Sequence, residues 1–398
     1  MAERKEGLSA NEAWKAIIEK YHVLEEVEKN GYFLIKASQI KEFREPRLMA
    51  KWDSTDSLPE VLRKNRINIL PDSRSSYVLG DFILYQKIPE LDEPVTRMKQ
   101  VELPDYETID INNISSEANA INVLIISGIL DDFLGEDRMV QTVSGRMGSG
   151  NFEFYVSDYQ KSEPIEKKPL IQVQNSQVEI DGGFENENVF TLIEGKNVVH
   201  SNFLIRQLYY PARLWAEKIH KPIRPVFMVY SNNIFRLLEY EFTDLRYYNS
   251  LRLVQERNYS LEEIEITLDD LYDVWARTKV KPEPAVTFIQ ADSFYKVISL
   301  VERLNENPMT GGEIAQLFGF KERQSDYYFN ACRYLGLAEK QTDEDGVKVH
   351  ITAIGRRLLK LPYRARQLEY VRLILLPGFS VPCELHFHIL ILNMHPDR

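Results

Sequence analysis

Residues 170–196 read LIQVQNSQVEIDGGFENENVFTLIEGK. LIQVQNSQVEID alternates apolar and polar residues, and ENVFTLIEGK runs apolar into a charged end, so each reads as a strand. Gly182 and Gly183, followed by FENEN, form the expected turn region between them. On this reading Asp181 ends one strand. Glu194 and Lys196, two residues apart and therefore on one face, end the next. If the strands pair, two carboxylates and an ammonium meet at one edge of a sheet.

Working outward, SSEANAINVLIISGILDDFL reads as a helix capped by Ser115 or Ser116, with Ala118, Ile121, Ile125 and Ile129 as its stripe. NFEFYV puts Phe152, Phe154 and Val156 on one side of a strand. SNFLIRQLYYPARLWAEKIH reads as a helix that Pro211 kinks or restarts, and PVFMVYSN with IFRLLEYEF as a hairpin. Helix, three strands, helix, strands is an α/β (α+β) core over residues 106–280, with a mixed central sheet flanked by helices. Pro282 and Pro284 then mark a stiff linker. Beyond it ADSFYKVISLVERL, MTGGEIAQLFG and RQSDYYFNACRYLGL read as three helices, and AEKQTDEDGVKVHIT as a hairpin. That is the layout of a winged helix-turn-helix over residues 286–378, followed by a tail, 379–398.

The N-terminal region, 1–105, is less legible. NEAWKAIIEKYHVLEEVEK has helical spacing with Trp14, Ile17, Ile18 and Tyr21 on one face, and GYFLIKA suits a strand. IKEFREPRLMAKWD and ILPDSRSSYVLGDF read as loops between short elements.

Composition narrows the function classes. The chain has 398 residues, 44% hydrophobic and 27% charged, an ordinary globular balance with room for two or three cores. No apolar run follows the N-terminal charges, and INVLIISGIL and LRLILL are too short to span a bilayer, so no membrane partner is expected. Cys332 and Cys383 are the two cysteines, without a C-x-x-C pair, which argues against a disulfide scaffold and a zinc site and for a reduced cytoplasm. The seven histidines have no catalytic metal spacing; His386-x-His388 sits in a stretch of unreadable fold. No nucleophile-elbow, phosphate-loop or dinucleotide pattern occurs. A net charge of −11 counts against polyanion binding globally. Locally, five basic residues stand between His200 and Pro225 and six between Thr352 and Arg372.

The chemistry rests on Asp181, Glu194 and Lys196. Phosphodiester hydrolysis needs a hard cation, and Mg²⁺ takes a few carboxylate oxygens, which two acids at strand ends can provide. Lys196 would then orient the attacking water or offset charge on the phosphate. Three solvated charges at strand ends explain the same letters. The neighbouring apolar strands and the basic helix that follows favour the site.

The order of elements around Asp181…Glu194-Gly195-Lys196 resembles the PD-(D/E)xK nuclease core over roughly residues 110–245. The strings ILPDSRSSYVLGDF, TVSGRMGSGNFEFYV and NFLIRQLYYPAR further resemble type II restriction endonucleases. The pattern departs at one position: Ile180 stands where the family has proline. The resemblance implies a hydrolase that cuts double-stranded DNA at a specific sequence. It implies Mg²⁺ held by Asp181, Glu194 and the carbonyl of Gly195, with Lys196 assisting water. It further implies a cognate DNA methyltransferase as genetic partner, and a homodimer if the recognised sequence is palindromic. Another PD-(D/E)xK nuclease, of transposase or repair type, and a non-catalytic winged-helix regulator remain as alternatives.

Around that centre Arg206, Tyr210 and Arg213 fall at i, i+4 and i+7 and either touch phosphates or pack the helix; Gln207 would lie near the scissile group. Glu117 is either an accessory metal ligand or part of a helix cap. Arg146, among glycines and serines, suits a DNA-contacting loop or an ordinary hairpin turn, and Arg74 is similar. Arg323, Gln324, Ser325 and Tyr328 begin the third helix of the winged unit, the end that reads bases in such domains. The acidic tip at Asp343, Glu344 and Asp345 would repel phosphate. A winged unit also serves as a protein-interaction module. The first 105 residues are a candidate DNA-recognition region.

Overall fold

A computed structural model of the chain describes residues 8–90, 95–97, 106–109, 111, 114, 116–159, 164–282, 284–286, 290–319, 322–343 and 346–376. Ser115, Glu344, Asp345, Cys383, His386, His388, His395 and the whole 379–398 tail lie outside the described residues.

The chain begins with α1 (Ala10–Lys20), which starts on a capping box in which the Ser9 hydroxyl accepts from the Glu12 amide and the Glu12 carboxylate accepts from Ser9. Trp14, Ile17 and Ile18 are buried, as their spacing predicts. His22, at φ 50°, parts this helix from α2 (Val23–Asn30). β1 (Phe33–Lys36), α3 (Ala37–Lys41) and α4 (Glu60–Lys64) follow. β2 (Asn68–Pro71) and β3 (Ser76–Gly80) pair antiparallel, with β1 on the other side of β3. ILPDSRSSYVLGDF, expected as a loop, is therefore largely a hairpin. Its turn residues occupy only 72–75, and the apolar runs on either side satisfy their backbone groups by pairing. β4 (Tyr85–Lys87) and β5 (Val95–Arg97) come next.

Ser116 caps α5 (Glu117–Ile126) by accepting from the Asn119 amide. The expected stripe is shifted: Ala118 is exposed and Ile125 half-buried, whereas Ala120, Ile121, Val123 and Leu124 are buried. Gly128, at φ 74°, ends the helix early, and α6 (Ile129–Leu134) starts afresh. There follow β6 (Val140–Gly148), β7 (Asn151–Tyr155), β8 (Leu170–Gln174), β9 (Gln177–Glu185), β10 (Phe190–Lys196), β11 (Asn202–Leu204) and α7 (Arg206–Ala216). β12 (Ile223–Ser231), β13 (Ile234–Phe242) and β14 (Leu251–Ser260) complete the sheet. The fold is mixed α+β: a seven-stranded mixed sheet in the order β5-β14-β13-β12-β10-β9-β6, parallel at β10/β12 and β14/β5. On one side α5 and α6 pack on Ile193, Val226 and Met228. On the other, α7 and the β7/β8 ribbon pack on Val178, Phe190 and Leu192.

Three expectations are corrected here. LIQVQNSQVEID is two strands, parted where Asn175 takes φ 51°; β8 pairs with β7 in a separate ribbon, and only β9 enters the central sheet. SGRMGSG, read as a loop or turn, lies largely in the edge strand β6. Gly182 and Gly183 lie inside β9. The turn is at 186–188, where the Asn186 side chain accepts from the amides of Asn188 and Val189. The glycines answer to crowding: a Cβ on Gly183 would stand 2.9 Å from Val143 and 3.1 Å from Phe190. Gly183→Ala is expected to destabilise the protein by about 1–3 kcal/mol, read as a lower urea midpoint.

The C-terminal part comprises α8 (Leu268–Arg277), α9 (Phe294–Glu306), α10 (Gly311–Phe318), α11 (Glu322–Tyr334), β15 (Ala338–Asp343), β16 (Gly346–Ile351), α12 (Ala353–Leu359) and α13 (Tyr363–Leu375). Three helices and a hairpin appear in the expected order, around a core of their own that includes Leu300, Ile314, Cys332 and Leu337. Two further helices, α12 and α13, close it, with Leu358 and Tyr370. The β12/β13 turn docks this unit onto the sheet: the Asn232 amide donates to Glu302, and Gln367 donates to the Asn232 side chain at 2.8 Å. Among the described residues no helix is long and apolar enough to cross a membrane.

A candidate active site where two adjacent strands separate

The register of β9 with β10 ends at Ile193–Gly182. Asp181 and Glu194 are the next residues on each strand, where the two chains separate. Asp181 therefore does not end its strand, yet it reaches the position expected of it: its Oδ2 accepts from the Gly195 amide at 3.0 Å. Lys196, half-buried, donates from Nζ to Glu194 Oε1 at 2.6 Å. The residues at 181, 194 and 196 that the sequence singled out thus share one site.

Three more groups complete it. Gln207, in the first turn of α7, donates from Nε2 to the same Glu194 oxygen. Glu117 at the start of α5 accepts from the Asn197 backbone and lies beside Gly195. Its expected capping role belongs instead to Ser116, so the carboxylate is free to face the site rather than its own helix end. Asp53, which the sequence reading missed, comes from the N-terminal part: its carboxylate stands 3.5 Å from Lys196 Nζ and 3.5 Å from Gln207 Nε2. It is held there by a backbone clamp. The Leu204 amide donates to the Asp53 carbonyl, the Thr55 amide donates to Asn202, and Ser201 donates to Asp56. No local pattern marks Asp53, because its partners are about 150 residues away.

Three carboxylates (Glu194, Asp53, Glu117) thus act on one ammonium, with Asp181 next to Glu194. Burial pushes the Glu194 carboxyl up to about 8, Asp181 and Asp53 add to the shift, and Lys196 opposes it. Burial also works against the Lys196 charge, but Glu194, Asp53 and Glu117 outweigh it and hold the ammonium protonated. Glu117 is likewise raised, chiefly by burial. With acids in excess, an acid takes up the extra proton and the lysine keeps its own.

The site forms the floor of a cleft of about 800 Å³. Arg47, Lys51, Arg74 and Arg146 are exposed around it, with Arg206 half-buried. Arg146 is on β6, not a loop, and pairs with Glu179 at 3.0 Å. The Arg206 guanidinium lies 5.6 Å from the Tyr210 ring centre.

Other expected nucleic-acid contacts are corrected. Tyr210 is fully buried and donates to the Pro71 carbonyl at 2.9 Å. Arg213 donates inward to the Glu153 carbonyl at 3.0 Å and to that of Leu245, with its guanidinium over Phe152. Of the same basic run, Arg224 is bound by Glu239 and Lys221 by Glu185, so charge clustered in sequence does not make a basic face. In the later run Arg366 is buried and Arg364 pairs with Asp270, whereas Arg356, Arg357 and Lys360 stay exposed. At the start of α11, Ser325 is buried and Tyr328 donates to Asp292. Arg323 and Gln324 are exposed; Gln324 lines a cleft with Asp56, Glu60, Arg63 and Lys64 of the N-terminal part, and a Cβ on Gly319, which ends α10 just before α11, would meet Asp56 at 2.3 Å.

Residues 80–260 match a family model described as a domain of unknown function (DUF6997). Residues 11–79 match a second domain of unknown function (DUF6996), and residues 296–379 a third (DUF7226). No curated protein and no solved structure matches the chain. Asp53 thus falls in one matched segment, and Asp181, Glu194 and Lys196 in the next.

Proposed function

We propose that this chain is a Mg²⁺-dependent endonuclease of double-stranded DNA, of the type II restriction kind, with a PD-(D/E)xK-like core. The observation that carries the reading is the convergence of Asp181, Glu194 and Lys196 from two adjacent strands on the floor of a cleft with exposed cations around it.

The donor set fits the metal. Asp181, Glu194 and the Gly195 carbonyl are a small set of hard oxygens, which Mg²⁺ accepts while keeping several waters. Among the described residues no three His, Cys, Asp or Glu side chains converge into a ready cation cage, and this smaller set does not need one. The excess of acids favours a divalent cation on electrostatic grounds. When bound, Mg²⁺ supplies charge neutralisation at the phosphate and a more acidic water. The chain's own residues do the rest. Lys196, held protonated, offsets developing negative charge, and Gln207 holds the Glu194 carboxylate in place. Arg206, Arg146, Arg74, Arg47 and Lys51 would take the flanking phosphates. The α9–α11 helices with the β15/β16 hairpin suit a winged-helix unit. The contact of the α10–α11 turn with the N-terminal part, at Gly319 and Asp56, favours scaffolding over base reading. A cognate methyltransferase would protect the host sequence.

Incubation with unmethylated phage DNA and Mg²⁺ is expected to yield discrete fragments, and none with EDTA. A smear would remove the restriction reading but leave the nuclease. DNA bound and never cut would favour a regulator. Asp53→Ala is expected to slow cleavage by roughly 10- to 100-fold, the usual cost of losing a group that orients the catalytic set. Single-turnover rates would read this, with circular dichroism confirming the fold.

A further inference from the structure

Helix α8 packs against α13 and is tied to it by the Arg364–Asp270 ion pair, yet none of its residues is buried. Leu268, Tyr272 and Trp275 lie at i, i+4 and i+7 and are 59%, 65% and 64% exposed; Val280 just beyond is 69% exposed. Three large apolar side chains on one face of a short helix are out of place in water.

The charges around the stripe say what covers it. Exposed acids precede and begin the helix (Glu265 and Asp269, with Glu263 already held by Arg97), and exposed bases follow it (Lys279 and Lys281, with Arg277 already paired to Asp273). A partner helix running parallel would meet like charge at both ends. An antiparallel copy of the same segment meets opposite charge at both, and the helix dipoles oppose as well. About a two-fold axis near residues 271–272, Leu268 of one copy faces Trp275 of the other, the two Tyr272 rings flank the axis, and Glu265 approaches Lys279 and Lys281. We infer that the α8 stripe is a self-complementary surface through which two copies of this chain associate. The inference does not depend on the proposed chemistry. A three-turn helix buries less than the roughly 800 Å² per partner of a standard interface, so the association is weak and concentration-dependent.

Sedimentation velocity on the full chain tests it. The weight-average mass is expected to rise from one copy toward two between about 1 and 100 µM. Trp275→Glu keeps the protein at one copy throughout with an unchanged thermal midpoint, since Trp275 supports no core. Glu265→Lys/Asp269→Lys and Lys279→Glu/Lys281→Glu each weaken self-association, and their equimolar mixture recovers it. A wild-type chain that stays single overturns the inference, as does association that survives Trp275→Glu. So does Trp275 fluorescence that resists acrylamide quenching in the single chain, which would mean that another part of the same chain covers the stripe.

Discussion

Glu194→Gln is expected to stop the proposed Mg²⁺-dependent cleavage, by at least about 10²–10³-fold, and to leave the protein folded and the proposed DNA binding intact. The substitution keeps the volume and one carbonyl oxygen but removes the charge that would help hold the cation. Folding is expected not to suffer, because Lys196 retains Asp53 and Glu117 nearby. Lys196→Ala is the less clean test. It strips the cation from a buried pair, a change that costs about 3–5 kcal/mol when the remaining charge has no other partner, so lost cleavage would be mixed with lost fold. Quenched-flow cleavage for rate, and filter binding with Ca²⁺ for affinity, separate chemistry from binding. Wild-type cutting by Glu194→Gln would leave the proposed centre without its acid.

The second large effect is on stability. The folded Glu194 carboxyl titrates at about 8, against 4.5 for a free one. A folded value above the unfolded value means that the folded protein holds the proton more tightly. This contribution to stability is fully present below about pH 4.5 and is lost as pH rises toward 8. Glu117, raised for the same reason, acts with the same sign. The melting temperature of the metal-free protein is therefore expected to fall across this window, and Glu194→Gln is expected to flatten the slope. Mg²⁺ bound as proposed would compete with that proton, so its stabilisation is expected to grow with pH: slight near the acid end, and about 2.7 kcal/mol at a hundred times its dissociation constant where the site is deprotonated. Differential scanning fluorimetry at several pH values, with and without Mg²⁺, reads both. An equal Mg²⁺ shift in wild type and Glu194→Gln would remove the metal from this site.

The candidate site was legible to an unequal degree. Glu194 and Lys196 could be placed together because strand periodicity puts residues two apart on one face, and β10 keeps that geometry to its last residue. Asp181 was placed for a partly mistaken reason. The Gly-Gly pair reads as a turn by local preference, whereas it continues β9 where side chains from Val143, Phe190 and Ile121 press on the backbone. Local rules register the freedom of glycine, and neighbours from other elements decide its use. Tyr210 and Arg213 failed for a related reason. Helical spacing names a face and leaves open whether that face looks at solvent or at the β7/β8 ribbon, which covers this one.

Order and type of most long elements, the split between the central sheet and the later helices, and the Glu194/Lys196 pair followed from the sequence alone, because periodicity and capping act within a few residues. Tertiary structure decided which strands joined the sheet, which arginines stayed at the surface, and that Asp53 would join the site from the N-terminal part. Those outcomes depend on which surfaces meet and exclude water between segments about 150 residues apart, and no local pattern carries that information.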